Sequence, residues 1–111
     1  MTGSSSFGGA AALAVESYRT QQVTGAAPAQ LLLQLYDHAI AGVVRQDQRQ
    51  VTAALVELIG SLNFDYEEIA LGLFRLYDWC MRRVRAKDWD EVLGILRELR
   101  AAWAQATAEL D

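Results

Sequence analysis

The sequence predicts an all-α protein, namely an antiparallel four-helix bundle with a short extra N-terminal helix or cap segment. From residue 28 onwards apolar residues recur three and four positions apart, which is the spacing of one helix face, and none of the chain alternates as a strand would. Acidic residues stand where helices should begin. A chain of 111 residues suits one domain, and 52% hydrophobic residues can build a core without a disulfide or a metal.

The N-terminal part is the least regular. Residues 1–9, "MTGSSSFGG", are small and polar and predict a disordered tail. Residues 10–22 predict a short cap helix, so that the helical-bundle domain covers residues 10–111. Residues 24–27 break that helix, and Pro28 fits the first position of the next one, where its missing N–H costs nothing.

The four bundle helices are predicted at residues 28–45, 48–62, 66–87 and 89–109. The first junction contains neither Gly nor Pro, so a single fused helix over residues 28–62 is the alternative. We favour a turn, because Asp47 would interrupt the apolar stripe of a fused helix.

Three short patterns predict helix caps, because an aspartate oxygen can accept hydrogen bonds from the free N–H groups of the first turn. They are Asp47–Gln50, Asp65–Glu68 and Asp88–Glu91. At the end of the third helix, the basic run at residues 82–87 fits the negative end of the helix dipole. Capping and solvation explain this run better than an anion site does.

Composition and chemistry argue against several classes of function. The net charge of −4 disfavours nucleic acids and anionic membranes as partners. No apolar run approaches the ~20 residues of a membrane span, and no signal peptide is evident, so we expect no membrane insertion and a cytoplasmic location. Cys80 is the only cysteine and His38 the only histidine. We therefore expect Cys80 to be a buried apolar residue, and we expect no metal, no cofactor and no enzymatic activity.

The triplet Leu-Tyr-Asp occurs twice. Tyr36 and Tyr77 fall on apolar stripes, so their rings should be buried and their hydroxyls should have partners. Asp37 and Asp78 lie about 100° further round the helix, where each can accept a hydrogen bond from another helix, a loop N–H or an arginine. We interpret each Tyr-Asp unit as fixing how helices stack, with direct contact to a ligand as the alternative.

Several short stretches, taken in order, resemble a known family. They are Tyr18, "VT" at 23–24, Pro28, "LLLQLYD" at 31–37, "SLN" at 61–63, "EIALGLFRLYDWCMRR" at 68–83 and "LRAAW" at 99–103. This order resembles the flagellar export chaperones of the FliS family. The resemblance implies a cytosolic chaperone that binds the unfolded C-terminal segment of flagellin, prevents its premature polymerisation and delivers it to the flagellar type III export apparatus.

The chain departs from the family pattern at three places. Ala27 stands where the family usually has Ser before the proline, and His38 stands where it usually has Gly. The stretch between Asp37 and Ser61 is several helical turns shorter than usual, which indicates a compact variant with a shortened second and third helix region.

The resemblance and a surplus of large apolar residues beside the stripes together predict a partner-binding surface. Its candidate residues are Tyr18, Val23, Leu32, Leu33, Tyr36, Phe74, Tyr77, Trp79 and Trp89. The resemblance further implies that residues 10–24 partly cover this surface or contact the client, and that the export gate is a second partner. We expect a monomer or a weak homodimer. The rival hypothesis is a non-catalytic helical module for dimerisation or regulation, in which the surplus apolar residues bind another protein.

Overall fold

A computed structural model describes residues 29–108 of the chain. This part consists of four helices, α1 (Ala29–Val44), α2 (Gln48–Gly60), α3 (Glu67–Arg85) and α4 (Trp89–Ala108). No strand occurs between residues 29 and 108, so the predicted all-α bundle is confirmed. The described ends of the helices lie within two residues of the predicted ones. The predicted tail at 1–9 and cap helix at 10–22 lie outside the described residues.

The four helices form a ring in which each helix packs against the next and α4 closes against α1. Their apolar stripes face inward, as the helical spacing predicts. None of the buried residues in this part carries a charge. The core consists of Leu32, Tyr36, Ala39, Val43, Val51, Ala54, Leu55, Leu58, Leu73, Tyr77, Cys80, Val84, Val92, Ile95, Leu96, Leu99 and Trp103.

A tight turn separates α1 from α2, so the alternative of one fused helix is excluded. Gln46 adopts a left-handed backbone with φ 55°, which ends α1. Asp47 then caps α2, because its Oδ1 accepts a hydrogen bond of 3.1 Å from the backbone N–H of Gln50. The Gln50 side chain does not complete a capping box, since its Nε2 donates to the carbonyl of His38 instead, at 2.9 Å.

The predicted cap at Asp65 is wrong. Asn63 forms a turn here, accepting hydrogen bonds at its side-chain oxygen from Asp65 N (3.0 Å) and at its carbonyl from Tyr66 N (3.1 Å). Because of this turn, α3 begins only at Glu67. Tyr66 is at the N-cap position, and its side chain makes no capping hydrogen bond. Glu67 and Glu68 fall in the first turn, where their charges suit the helix dipole.

Asp88 stands directly before α4, at the position predicted for a cap. Its carboxylate lies 3.7 Å from Nη1 of Arg83, so it is engaged by an arginine of α3. The basic run in the last turn of α3, which includes Arg82, Arg83 and Arg85, meets the negative end of that helix as predicted.

The second hairpin, α3–α4, repeats the first, α1–α2, at an offset of 41 residues, which is the separation of Tyr36 and Tyr77. The turns match bond for bond. In the first, Gln46 N donates to the carbonyl of Val43 at 2.9 Å and Asp47 N to that of Gly42 at 2.8 Å. In the second, Lys87 N donates to Val84 at 2.9 Å and Asp88 N to Arg83 at 2.9 Å. Lys87 also repeats the left-handed backbone of Gln46, with φ 61°.

The buried positions of the two hairpins coincide as well. Equivalent core pairs are Leu32/Leu73, Tyr36/Tyr77, Ala39/Cys80, Val43/Val84, Val51/Val92, Ala54/Ile95, Leu55/Leu96 and Leu58/Leu99. The two tyrosines are equivalent and also contact each other, which is the arrangement that a two-fold relation between the hairpins produces. The described fold is therefore a pair of like hairpins joined by the loop at residues 61–66.

The hairpins differ in how closely their helices approach at the turn. A Cβ placed on Gly42 would lie 2.8 Å from Cγ2 of Val51 and 3.2 Å from its backbone N, so α1 and α2 meet here only because residue 42 lacks a side chain. The equivalent residue of α3 is Arg83, whose guanidinium lies 4.7 Å from the centre of the Trp79 ring. A side chain of that size prevents the same close approach in the second hairpin.

Candidate partner-binding groove

Tyr36 and Tyr77 meet in the centre of the bundle. Their hydroxyl oxygens are 2.6 Å apart, and Nε1 of Trp103 donates to the Tyr36 hydroxyl at 3.0 Å. Burial raises the pKa of both phenols well above the usual value, so both stay neutral. The sequence correctly predicted buried rings with hydrogen-bonded hydroxyls, and both side chains are part of the core.

The two aspartates of the Leu-Tyr-Asp triplets both pair with arginines, but in different ways. Asp37 holds Arg100 of α4 through two contacts, Oδ1 to Nε at 2.7 Å and Oδ2 to Nη2 at 3.2 Å. Asp78 pairs with Arg82, one turn along its own helix, at 2.6 Å. The offset of 41 residues between the hairpins accounts for the difference. Asp78 is equivalent to Asp37, and Ile59 of α2 is equivalent to Arg100, so Asp78 has no arginine at the matching position. Only the first triplet therefore fixes the stacking of two helices through its aspartate.

Cys80 lies in the core next to these residues. Its side chain has no exposed surface, and burial raises the pKa of the thiol to about 12, with a smaller contribution from Glu91. The expectation of a buried cysteine is confirmed by its position.

The members of the predicted partner-binding set that lie between residues 29 and 108 differ in burial. Leu32, Tyr36 and Tyr77 are buried in the core, and this corrects the placement of Leu32 beside the apolar stripe. Leu33 and Trp89 are half-buried and pack against the core, while Tyr18 and Val23 lie outside the described residues.

Phe74 and Trp79 are the exposed members of the predicted set, with 38% and 39% of their surface accessible. Trp79 is held in place by polar neighbours. Its Nε1 donates to Oε2 of Glu91 at 3.2 Å, and Arg83 covers one face of the ring. This face of α3 is therefore more polar than the sequence pattern suggested.

A concave surface lies elsewhere, between α1 and α2. It is an open groove of about 670 Å³ lined by Leu31, Gln34, Leu35, Val56, Glu57, Gly60 and Ser61. Leu31 and Val56 expose 49% and 54% of their surface, and Phe64, in the loop that follows Ser61, exposes 52%. Large apolar side chains are seldom grouped on a surface in this way unless another molecule covers them.

The sequence pattern does not reveal this groove, because Leu31 fits the helical spacing of the inward stripe of α1 and Val56 lies off the stripe of α2. Val56 directly follows Leu55, a core residue, and so faces away from the stripe of α2. An apolar residue on the polar face of a helix was therefore the available signal. Its position opposite Leu31 and Leu35 depends on how α1 and α2 pack, which no local pattern reveals.

The lining of the groove consists mainly of aliphatic and small residues. No group of three His, Cys, Asp or Glu side chains that could hold a metal ion occurs between residues 29 and 108. None of the four helices is long and apolar enough to cross a bilayer. An apolar groove between two helices is suited to accepting an amphipathic segment of another chain.

The family described as "Flagellar protein FliS" matches residues 44–110, from the end of α1 through α4. No curated protein and no solved structure matches the chain significantly.

Proposed function

The chain belongs to the FliS family of flagellar secretion chaperones, and on this premise we propose that it binds the unfolded C-terminal segment of flagellin in the α1–α2 groove. Binding there would keep flagellin from polymerising in the cytoplasm and present it to the type III export gate. The family is one of chaperones and not of enzymes.

The apolar groove is the observation that carries this proposal. Leu31 and Leu35 on one wall and Val56 on the other present aliphatic surface on both sides of a channel. An amphipathic segment can fold as a helix with its apolar side in such a channel, and it recovers the free energy of burying that surface. Phe64, three residues after the lining residue Ser61, is a further exposed apolar side chain and is proposed to extend the contact beyond the end of α2.

Export requires that the complex also come apart. A segment that is unfolded when free loses conformational entropy on binding, which offsets much of the gain from apolar contact. We therefore propose a moderate affinity despite a large contact area. Phe74 and Trp79 on α3, and Tyr18 and Val23 before the described residues, are proposed to extend the contact along a long client segment.

Calorimetry with the flagellin of the same cell tests the proposal. Full-length flagellin should bind with a negative change in heat capacity, because apolar surface is buried, and flagellin lacking its C-terminal segment should not bind. The isolated C-terminal segment should gain helicity on binding, as measured by circular dichroism. A second measurement uses a shortened chain that starts at Gly25. If residues 10–24 cover the groove, this chain should bind an apolar dye more strongly than the full chain does. If Tyr18 and Val23 contact the client instead, it should bind flagellin more weakly.

Failure of full-length flagellin to bind the folded protein would contradict the chaperone proposal. Light scattering during size-exclusion chromatography would then decide about the rival hypothesis. A stable dimer of the protein alone would support a helical dimerisation module, whereas a monomer that joins flagellin in a complex supports the chaperone.

A further inference from the structure

The groove lies at an end of the bundle that carries negative charge and, among the described residues, no positive charge. Glu57 lines the groove itself, and Asp65, Glu67 and Glu68 follow in the loop and first turn of α3. Between Arg49 and Arg75 the chain contains no lysine or arginine, and α1 has none either. The groove thus has one carboxylate in its lining, and three more exposed carboxylates follow within eight residues of its last lining residue, Ser61.

The opposite end of the bundle carries both signs of charge. Both left-handed turns lie there, and six basic residues flank them together with four acidic ones: Arg45, Arg49, Arg82, Arg83, Arg85 and Lys87, with Asp47, Asp88, Asp90 and Glu91. Basic residues are therefore in excess at this end, whereas the groove end has only acidic residues near the groove among those described.

The internal repeat supplies a comparison surface within the same molecule. The groove positions Gln34 and Val56 correspond to Arg75 and Arg97 in the second hairpin, and both arginines are exposed. The groove glutamate, Glu57, corresponds to Glu98. The first hairpin therefore combines an apolar surface with an acidic border, whereas the second places two cations on the equivalent surface.

We propose that the α1–α2 groove selects a segment whose apolar stripe is flanked by lysine or arginine, with those cations directed towards Glu57 and the acidic loop. The inference rests on the proposed function and adds the chemistry of the segment that the groove recognises. Apolar contact supplies most of the affinity. Charge complementarity supplies selectivity, because an acidic flank would face Glu57, while α1 and residues 50–74 supply no lysine or arginine to compensate.

Two synthetic peptides of about 18 residues test the charge requirement, since this length spans the groove as a helix. They share one Leu/Ala apolar face and carry either lysine or glutamate on the flanks. Fluorescence anisotropy with the full chain should show the lysine peptide binding about tenfold more tightly at about 20 mM salt. The ratio should approach one at about 500 mM salt, where exposed charges are screened beyond about 4 Å.

Variants at equivalent positions locate the site. Val56→Arg, which gives the groove the residue of the second hairpin, should abolish binding of both peptides, whereas Arg97→Val should leave binding unchanged. Glu57→Gln should lower the preference for lysine about twofold, and Glu98→Gln should not change it. Circular dichroism checks that each variant folds. If Val56→Arg does not fold, Val56→Ser replaces it, since this change should weaken the binding of both peptides without adding charge.

Equal binding of the two peptides at low salt, or equal effects of Val56→Arg and Arg97→Val, would overturn the inference. These outcomes are separate from the test of the proposed function. If flagellin binds the protein but the lysine peptide has no advantage, the function stands and the charge rule is wrong. If the lysine peptide binds as expected and flagellin does not, the groove chemistry stands and the client is another protein.

Discussion

At the scale of single residues, the two Leu-Tyr-Asp triplets show that identical residues can make different contacts. Local spacing predicted buried rings at Tyr36 and Tyr77, and both are buried. It could not predict that the two hydroxyls bond to each other, because that contact joins helices 41 residues apart. The partners of the aspartates depend even more on distant residues, because Asp37 pairs with Arg100 only where α4 packs against α1.

Substitutions at Tyr77 separate the contribution of the ring from that of the hydroxyl. Tyr77→Phe removes one hydrogen bond and should lower the free energy of unfolding by about 1 kcal/mol. Tyr77→Ala also leaves a cavity in the core and should cost about 3–5 kcal/mol. Urea unfolding followed by circular dichroism measures both values. Small and equal losses for the two variants would show that the ring is not packed as described.

At the scale of helices and turns, the sequence predicted each described helix to within two residues of its ends. Asp47 was correctly predicted as a cap because the turn before it is short and leaves its side chain next to α2. The Asp65 prediction failed because Asn63 forms a competing local turn, and the two possibilities look alike in a pattern of residue types. The repeated Leu-Tyr-Asp triplet is visible in the sequence, but burial and turn geometry are needed to show that the whole hairpins correspond.

The close approach of α1 and α2 predicts opposite effects for two Gly-to-Ala substitutions. Gly42→Ala should lower the free energy of unfolding by about 1–2 kcal/mol, because overpacking against Val51 outweighs the better helix propensity of alanine. Gly94→Ala is the matched control in α4, where nothing lies within 4 Å of the added Cβ. It should raise stability by up to about 1 kcal/mol. Thermal unfolding would contradict this account if both variants were stabilised.

At the scale of the whole molecule, the sequence predicted the bundle but only part of the candidate site. Counting apolar residues beside each stripe identified Phe74 and Trp79, which are exposed. The same count misplaced Leu32 and overlooked Val56, because the burial of a residue at the edge of a stripe depends on which helix packs beside it. The acidic residues near the groove are likewise distributed over three elements. Glu57 lies in α2, Asp65 in the loop at residues 61–66, and Glu67 and Glu68 in the first turn of α3.

The buried core also predicts how stability depends on pH. In the folded state Tyr36, Tyr77 and Cys80 keep their protons above pH 9–10, where the unfolded chain releases them, since the ordinary pKa values are 9.0 for the thiol and 10.0 for the phenols. Their contribution to stability is therefore complete below about pH 9 and is lost as the pH rises.

The free energy of unfolding should fall above this pH by up to about 4 kcal/mol per pH unit, the limit for three protons. Urea titrations between pH 8 and about pH 12 measure the slope. Cys80→Ala is the control, and it should move the onset of the decline from about pH 9 towards pH 10. A flat profile across this range would mean that these groups reach solvent in the folded protein.

The repeated hairpin has a consequence for stoichiometry. A protein made of two like halves could carry two equivalent sites and hold two clients, or one client at two places with increased avidity. Arg75 and Arg97 occupy the second site with charged side chains, and Gly72 replaces the leucine at position 31 of the first. The second hairpin therefore lacks the apolar surface of the first, and if the α1–α2 groove binds a client as proposed, we expect one client segment per chain in spite of the internal repetition.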